Sequence, residues 1–229
     1  FHPGQFNVLG SPNQNALNHT INDLTYHADV LDLMELDNNS VMVIHGGGIY
    51  GDKASAIERW CHNYNELPNN VKQRLVLENC EKCFSIEDCL EISNNVNVPV
   101  VFDTHHFECY KLLHKDIIFK EAEHYIPLIL ETWKRRGIKP KFHISEQGTG
   151  RIGHHSDFIE EIPKYLLEIP KRYNIEIDIK DTKEFKVFKN DYSDELDSID
   201  SDGNITVSED PGLGVEYDYE YAKKFLVDT

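Results

Sequence analysis

The 229-residue sequence lacks a long apolar run. No stretch approaches the roughly 18 consecutive apolar residues that a membrane span requires. The N-terminus also lacks the basic-then-apolar pattern of a secretory signal. These absences argue against a membrane protein, so we expect a soluble chain with no membrane partner.

Cysteine is too sparse for a disulfide framework. The five cysteines are odd in number, and the chain is long enough to bury a core without covalent staples. Cys80 and Cys83 form one C-x-x-C pair, but no second pair and no suitably spaced histidine pair follows, so a structural zinc site is not predicted. We expect free cysteines that pack as small hydrophobes in a reducing intracellular compartment, either cytoplasm or nucleus.

Positive charge is also scarce. The chain carries 23 Lys and Arg residues against 40 acids, a formal net charge of −17, whereas a nucleic-acid-binding protein usually presents a basic face. The acids are unevenly placed, because residues 190–229 hold 12 acids and two lysines, a net charge of −10. We therefore predict a folded domain over residues 1–189 and an acidic, flexible C-terminal segment over residues 190–229.

Short apolar runs alternate with longer helical patterns in the predicted domain. This alternation is typical of βα units around a parallel sheet, whose strands are apolar because both faces are covered. The predicted strands are residues 41–44, 75–77, 98–102, 142–144 and 175–179. The predicted helices are residues 15–36, 52–66, 86–94, 119–136 and 158–172.

Metal-ligand side chains recur where these strands end. They are His2, His45, Glu78, Asp103, His143 and Asp178. In a (β/α)₈ barrel the carboxyl ends of all strands meet at one rim, whereas an open doubly wound sheet gathers ligands mostly at one switch point. Six such residues therefore favour an α/β fold of the (β/α)₈ barrel type. Imidazoles and carboxylates suit zinc, manganese or iron, and two ions about 3.5–4 Å apart can promote phosphate displacement.

Each of these residues has an ordinary structural interpretation as well. Glu78 or Asp103 could cap a following helix, and a single histidine at a strand end is more often a hydrogen-bonded residue than a ligand. The recurrence at six strand ends is what favours a metal site. Six other histidines are assigned no metal role: His19, His27, His62, His105, His114 and His124. Lys141 shares a strand face with His143, which places an amine beside the predicted cluster.

Six motifs resemble those of the UV damage endonuclease family, in the same order along the chain. They are HPGQF at 2–6, HGGG at 45–48, LVLEN at 75–79, FDTHH at 102–106, KFHIS at 141–145 and HSDFI at 155–159. The resemblance implies a TIM barrel related to endonuclease IV and the xylose isomerases. It implies a DNA repair endonuclease that acts, as a monomer, on double-stranded damaged DNA. Members incise immediately 5′ to pyrimidine dimers and 6-4 products.

The same resemblance implies a centre of two to three divalent ions, Mn²⁺ first and Zn²⁺ or Co²⁺ as alternatives. The implied ligands are His2, His45, Glu78, Asp103, His106, His143, His155 and Asp178. Glu78 would bridge a first ion, held with His2 and His45, to a second held with Asp103 and His143. His106 and His155 would hold a third ion. Glu78, Lys141 and Asp178 are the implied catalytic residues, with Lys141 carboxylated.

Some positions depart from the family pattern. Phe6 stands where the family has a tyrosine, and with Gln5 it would probe the duplex beside the lesion. Asp178 takes the place of a bridging glutamate, with Glu176 on the same strand face as the fallback. His2 corresponds to the end of the third barrel strand, so we expect a barrel without its N-terminal strands in this chain. The alternative functions are a sugar isomerase on a related barrel and a catalytically degenerate relative.

Overall fold

The structure, a computed structural model, describes residues 1–4, 6–156 and 159–181. Its strands are β1 (Met42–His45), β2 (Leu75–Glu78), β3 (Val100–Asp103), β4 (Lys141–Ile144) and β5 (Asp178–Asp181). Its helices are α1 (Gln14–Leu33), α2 (Lys53–Glu66), α3 (Asn69–Arg74), α4 (Ile86–Val96), α5 (Thr104–Leu113), α6 (Ala122–Arg136) and α7 (Lys164–Tyr173). Strands and helices thus alternate along the chain as the sequence predicts.

The five strands form one parallel sheet in the order β1-β2-β3-β4-β5. Their apolar side chains are buried because helices cover the sheet, and β2 and β3 are buried at every position. Trp133 of α6 donates its ring N–H to the Val100 carbonyl at 2.7 Å, and the Thr132 hydroxyl accepts the Val100 N–H at 3.0 Å. These bonds fix α6 against the start of β3.

Local capping explains where several helices begin and end. Ser85 and Asp88 form a complete capping box at the start of α4. Asn97 and Gly137 adopt the left-handed backbone conformation and end α4 and α6, respectively. After each of them the chain turns toward the next strand. The Asp103 side chain caps α5 by accepting the His106 N–H at 2.8 Å, so this helix begins directly after β3.

Two helices and one strand position differ from the sequence-based prediction. The short helices α3 and α5 were not predicted, because the first follows a proline without a side-chain cap and the second continues a strand without a loop. Strand β5 covers residues 178–181 rather than 175–179, since its pairing with β4 begins at Lys141 opposite Asp178. Helix α7 begins after Pro163, six residues later than predicted.

Helix α5 lies at the carboxyl ends of the strands. Its first residues follow β3 directly, and beyond its end His114 donates to the Lys82 carbonyl at 2.9 Å, in the loop that follows β2. The parallel order and the helical connections are those of part of a (β/α)₈ barrel, which confirms the predicted fold class. No helix in the described ranges is both long enough and apolar enough to traverse a lipid bilayer.

Candidate metal centre

The last residues of three adjacent strands bring ligand side chains to one edge of the sheet. His45 ends β1, Glu78 ends β2 and Asp103 ends β3, and His45 lies directly opposite Glu78 in the parallel register. His2 joins them because Phe1 is held beside β1 by two backbone hydrogen bonds, to the Val41 carbonyl and from the Val43 N–H. The predicted convergence at the carboxyl ends therefore holds for these four residues.

Glu78 is the hub of this group, and its side chain is fully buried. One oxygen, Oε2, lies 3.1 Å from His2 Nε2 and 3.3 Å from His45 Nε2. The other oxygen, Oε1, accepts a hydrogen bond from His143 Nδ1 at 2.8 Å. Three imidazoles from different parts of the chain thus meet one buried carboxylate.

The electrostatics keep this carboxylate ionised. Burial by itself raises the pKa of Glu78, but the charge and hydrogen bond of His143, with the nearby imidazoles of His2 and His45, hold that pKa well below its ordinary value of 4.5. Burial also disfavours the charged form of His45, yet Glu78 outweighs it and raises the pKa of this imidazole above 6.5. An anion surrounded by nitrogen ligands is the result.

Two buried atoms in the group have no hydrogen-bond partner. His45 Nε2 approaches Glu78 without a hydrogen bond, and Asp103 Oδ2 is unpartnered, although Asp103 Oδ1 caps α5. Leaving buried polar atoms unsatisfied is costly unless a ligand meets them. Asp103 therefore serves as a helix cap through one oxygen and keeps the other available. These orphaned atoms and the donor set fit a bound cation.

Within the described ranges, two sets of side chains have ligand atoms that all lie within 4.8 Å of one another. The sets are His2, His45 and Glu78, and Glu78, Asp103 and His106. Glu78 belongs to both, so its two oxygens could each contact a different ion. Imidazole and carboxylate ligands without thiolates suit zinc, manganese or iron. The chain thus has candidate sites for a pair of ions that share one carboxylate.

Asn79 positions this group, and the sequence-based reasoning missed it. Its buried amide donates to the Asp103 carbonyl at 3.0 Å and accepts the Asp103 N–H at 2.9 Å. Its backbone carbonyl accepts from His106 Nδ1 at 3.0 Å. Asn79 therefore joins the ends of β2 and β3 and orients one further ligand. The signal in the sequence was the position of Asn79, a polar residue directly after Glu78 at the end of the apolar run LVL.

The bond to the Asn79 carbonyl decides which nitrogen of His106 can bind a metal ion. Nδ1 lies 3.7 Å from Glu78 Oε1 and 3.8 Å from Asp103 Oδ2, which is how His106 enters the second set. A carbonyl only accepts, however, so Nδ1 carries the proton in this arrangement. Glu78 and Asp103 are then the ligands of the second set, and Nε2 is the atom of His106 that keeps a lone pair. That Nε2 lies 3.4 Å from His155 Nε2, a spacing two ligands of one ion can adopt.

Lys141 and Asp178 lie apart from both sets. They are the first residues of β4 and β5, at the opposite end of these strands from the ligands that end β1 to β3. Lys141 donates to Asp178 Oδ2 at 2.6 Å, and Lys139 lies 3.3 Å from Asp178 Oδ1. Burial raises the pKa of Asp178, but the two lysines more than offset it and lower that pKa. Glu176, the fallback ligand, is exposed and pairs with Lys139.

The remaining predicted positions differ in their exposure. Phe6 is 82% exposed, and Gln5 lies outside the described residues. His105, which was assigned no metal role, packs in the protein against Cys109 and the His155 ring. The five cysteines are free, and Cys80 accepts the Phe84 N–H at 3.1 Å, as expected for packing residues.

A parallel sheet with buried imidazoles and carboxylates at its carboxyl edge defines a barrel-type protein with a candidate metal centre. More specifically, residues 1–210 match the protein family UV-endonuclease UvdE, and the chain belongs to that family. A similar protein is the UV DNA damage endonuclease of Bacillus velezensis, 37% identical over 174 residues, which cover 76% of this chain and 52% of that protein.

Two solved structures are similar to the chain. The crystal structure of SacUVDE superposes with a TM-score of 0.64 at 33% identity, covering 79% of this chain and 58% of that one. D-psicose 3-epimerase of Clostridium cellulolyticum H10, crystallised with D-tagatose, gives a TM-score of 0.52 at 16% identity, covering 79% of this chain and 61% of that one. This second likeness concerns the fold alone. The chain spans between half and two thirds of the length of these relatives.

Proposed function

We propose that the protein is a metal-dependent DNA repair endonuclease that cleaves double-stranded DNA on the 5′ side of ultraviolet photoproducts. The observation that carries this proposal is the fully buried Glu78, shared by two groups of ligand atoms at the carboxyl edge of the sheet. Membership of the UV-endonuclease UvdE family supports the substrate class. We further propose that the protein acts as a monomer and that its ions are Mn²⁺, with Zn²⁺ or Co²⁺ as alternatives.

In the proposed reaction, water adds to the phosphorus and the bond from phosphorus to the 3′ oxygen breaks. That oxygen leaves with a proton as a 3′-hydroxyl, and the phosphate remains on the 5′ side of the following nucleoside. Divalent ions supply Lewis-acid stabilisation of the phosphoryl oxygens in such a reaction. Glu78 would bridge two ions, one held with His2 and His45 and one with Asp103 and His143.

A third ion would lie between His106 and His155. Burial and the neighbouring His106 lower the pKa of His155, which favours the neutral imidazole that a metal ion requires. The hydrogen bond from His106 Nδ1 to Asn79 leaves Nε2 directed at His155. The Nε2 atoms of both imidazoles therefore lie close enough to contact one ion.

Lys141 and Asp178 would complete the centre if Lys141 is carboxylated. The unmodified ammonium neutralises Asp178 directly, so the pair needs no metal ion. Carboxylation would place two anions at this point, which only a cation could hold together. A cavity of about 320 Å³, lined in part by Lys141, His143 and Asp178, adjoins the pair and offers room for the added group.

Phe6 is the proposed contact with the damaged duplex, together with Gln5. An exposed phenylalanine four residues after the candidate ligand His2 could stack on an unpaired base, and such stacking contributes about 1–3 kcal/mol per base. We expect Phe6→Ala to weaken binding of irradiated DNA without lowering the melting temperature, because the ring is 82% exposed. Phe6→Tyr should bind as the wild type does.

The test is incubation of the full-length protein and Mn²⁺ with irradiated and unirradiated duplex of the same sequence. We expect one nick 5′ to the photoproduct, ending in a 3′-hydroxyl, and none in the unirradiated control. Irradiated DNA that remains intact would contradict the proposal. Turnover of an aldose without nicking would favour the isomerase, and fewer than two bound ions per chain would favour an inactive relative.

A further inference from the structure

Three of the four buried polar side-chain atoms without a hydrogen-bond partner in the described ranges belong to residues at the carboxyl ends of strands. Among the side chains of the described residues there are four such atoms: His45 Nε2, Asp103 Oδ2, Ser145 Oγ and Trp60 Nε1. The first two belong to the candidate metal groups. Trp60 is a fully buried core residue of α2. Ser145 Oγ is therefore the one orphan at the candidate centre that the metal groups leave unexplained.

Ser145 follows β4 directly and lies between two residues that contact the centre. Two positions before it, His143 bonds to Glu78 at 2.8 Å. Two positions after it, Gln147 forms a β-bridge with His155, whose ring faces His106. Side chains two apart in extended chain point to the same side. Ser145 is 9% exposed, so its hydroxyl is buried on the side of the chain that carries His143.

The chemistry of a hydroxyl limits what can satisfy this atom. A neutral serine is a weak ligand for a cation compared with the imidazoles and carboxylates around it, but its O–H is a good donor. A buried donor without an acceptor is costly, and the described residues provide none. The missing partner is thus an acceptor, and the acceptor that divalent ions at this site would attract is an anion.

We propose that Ser145 is a phosphate-binding residue, whose Oγ–H donates to a non-bridging oxygen of the phosphodiester that is cut. This inference rests on the proposed endonuclease function, since it assigns a contact to the same substrate. Ser145 follows the last residue of β4, so it lies at the carboxyl end of the strand, as the candidate ligands at the ends of β1 to β3 do. It would fix the orientation of the phosphate relative to the ions without binding an ion itself.

A hydroxyl that binds phosphate and a hydroxyl that supports the fold should respond differently to removal. Thr132 is the matched control: its buried hydroxyl accepts the Val100 N–H at 3.0 Å and donates to the Ile129 carbonyl at 2.7 Å. Thr132→Val removes two satisfied bonds and should lower the melting temperature. Ser145→Ala removes an unsatisfied group, so its melting temperature should be equal to or above that of the wild type.

The experiment measures binding of inorganic phosphate to the Mn²⁺-loaded full-length protein by isothermal titration, with bound Mn²⁺ determined in parallel. Ser145→Ala should keep the wild-type Mn²⁺ content and bind phosphate about ten-fold or more weakly, as expected for loss of one bond to a charged acceptor. Ser145→Thr, which keeps a hydroxyl, should recover most of the affinity. Thr132→Val should bind phosphate as the wild type does.

Unchanged phosphate affinity in Ser145→Ala would overturn the proposal, as would a wild type that binds no phosphate. A lower melting temperature with unchanged phosphate affinity would show instead that the hydroxyl supports the fold. The phosphate measurement needs no DNA cleavage, so the two proposals fail separately. A wild type that binds phosphate through Ser145 but never nicks irradiated DNA would refute only the endonuclease function.

Discussion

The sheet holds two clusters of charged groups that differ in how their charges are satisfied. At the carboxyl ends of β1 to β3, the buried Glu78 meets imidazoles, and Asp103 keeps one oxygen without a partner. At the amino ends of β4 and β5, Lys141 and Asp178 neutralise each other at 2.6 Å. The first cluster therefore has a carboxylate oxygen that a bound cation could satisfy, whereas in the second cluster Lys141 already supplies the cation.

This difference shows that residue type alone does not define a metal site. Both clusters contain carboxylates on one sheet, and His143 and Lys141 share a strand face only two residues apart. Two residues of a strand span about 6–7 Å, however, which is enough to separate a ligand that contacts Glu78 from an amine that contacts Asp178. What distinguishes the first cluster is buried atoms that no neighbour in the described ranges satisfies.

The strongest test of the comparison is Glu78→Gln. The amide has nearly the same shape but no charge, so it cannot bridge two cations or balance the surrounding imidazoles. We expect bound metal to fall by at least one ion per chain and nicking of irradiated DNA to fall at least about 10³-fold, roughly 4 kcal/mol of transition-state stabilisation. Metal analysis and single-turnover nicking measure the two effects.

Glu58→Gln is the control for this variant, because Glu58 is exposed on α2 and should change neither quantity. If Glu78→Gln kept its full metal content and activity, Glu78 would not be the hub. If Glu78→Gln lost bound metal and nicking activity because it unfolded, circular dichroism would reveal the loss of structure. Asp103→Asn, which keeps the α5 cap through one oxygen, would then test the same centre.

Asn79→Asp should have the second largest effect. The new carboxylate keeps the shape but replaces the donor to the Asp103 carbonyl with an acceptor, so two oxygens would face each other at the junction of β2 and β3. Because residues that orient ligands typically alter metal affinity by 10–100-fold, we expect Mn²⁺ affinity to fall by about this factor. Titration with Mn²⁺ measures it.

The control for Asn79→Asp is Asn63→Asp, whose amide bonds to the Leu9 carbonyl away from the centre. Equal Mn²⁺ affinities in both variants would show that Asn79 supports the fold only. An Asn79→Ser variant that retained the melting temperature but bound Mn²⁺ weakly would strengthen the positioning role. This role belongs to the first cluster, because Asn79 joins the backbone of β3 to the residue that follows Glu78.

Lys141→Met and Asp178→Asn address the second cluster and should have smaller effects on metal binding. If Lys141 is unmodified, each variant removes half of an ion pair, and a double-mutant cycle should give a coupling energy on the order of 1 kcal/mol. The metal content would then be unchanged. If Lys141 is carboxylated, Lys141→Met should lose one ion and the mass of a carboxyl group in intact-protein mass spectrometry.

The sequence predicted the fold and the first cluster better than the second, for a physical reason. Parallel strands deliver their last residues to a common edge, so His45, Glu78 and Asp103 could be placed together from strand ends alone. The apolar runs that define β1, β2 and β3 are unambiguous. For these three residues, predicting where each strand ends was sufficient to predict that their side chains lie near one another.

The second cluster depended on pairing register, which the sequence does not specify. The alternating isoleucines at 175, 177 and 179 suggested a strand that ends near Asp178, whereas β5 begins there. A three-residue shift moves a residue about 10 Å along a strand. Hydrogen bonds such as that from Asn79 to the Asp103 backbone were equally inaccessible, because they depend on which two strands are neighbours.

The smallest predicted effect is the pH dependence of the metal-free protein, which should also distinguish the clusters. The lowered pKa of Glu78 contributes stability above its ordinary value of 4.5, and this contribution is lost as the pH falls toward the folded-state pKa. The raised pKa of His45 contributes stability below 6.5, and this is lost as the pH rises through the folded-state pKa. The first cluster therefore contributes most between these two values.

The lowered pKa of Asp178 contributes at every pH above 3.8, so the second cluster adds no loss of stability near neutral pH. Melting temperatures in a chelator should fall by at least about 2 °C from pH 6 to pH 8, and His45→Gln should flatten this decline while Asp178→Asn leaves it intact. Added Mn²⁺ should reverse the trend, because a metal ion binds the deprotonated imidazole. A decline that persists unchanged in His45→Gln would assign the neutral-pH titration to a group outside the Glu78 cluster.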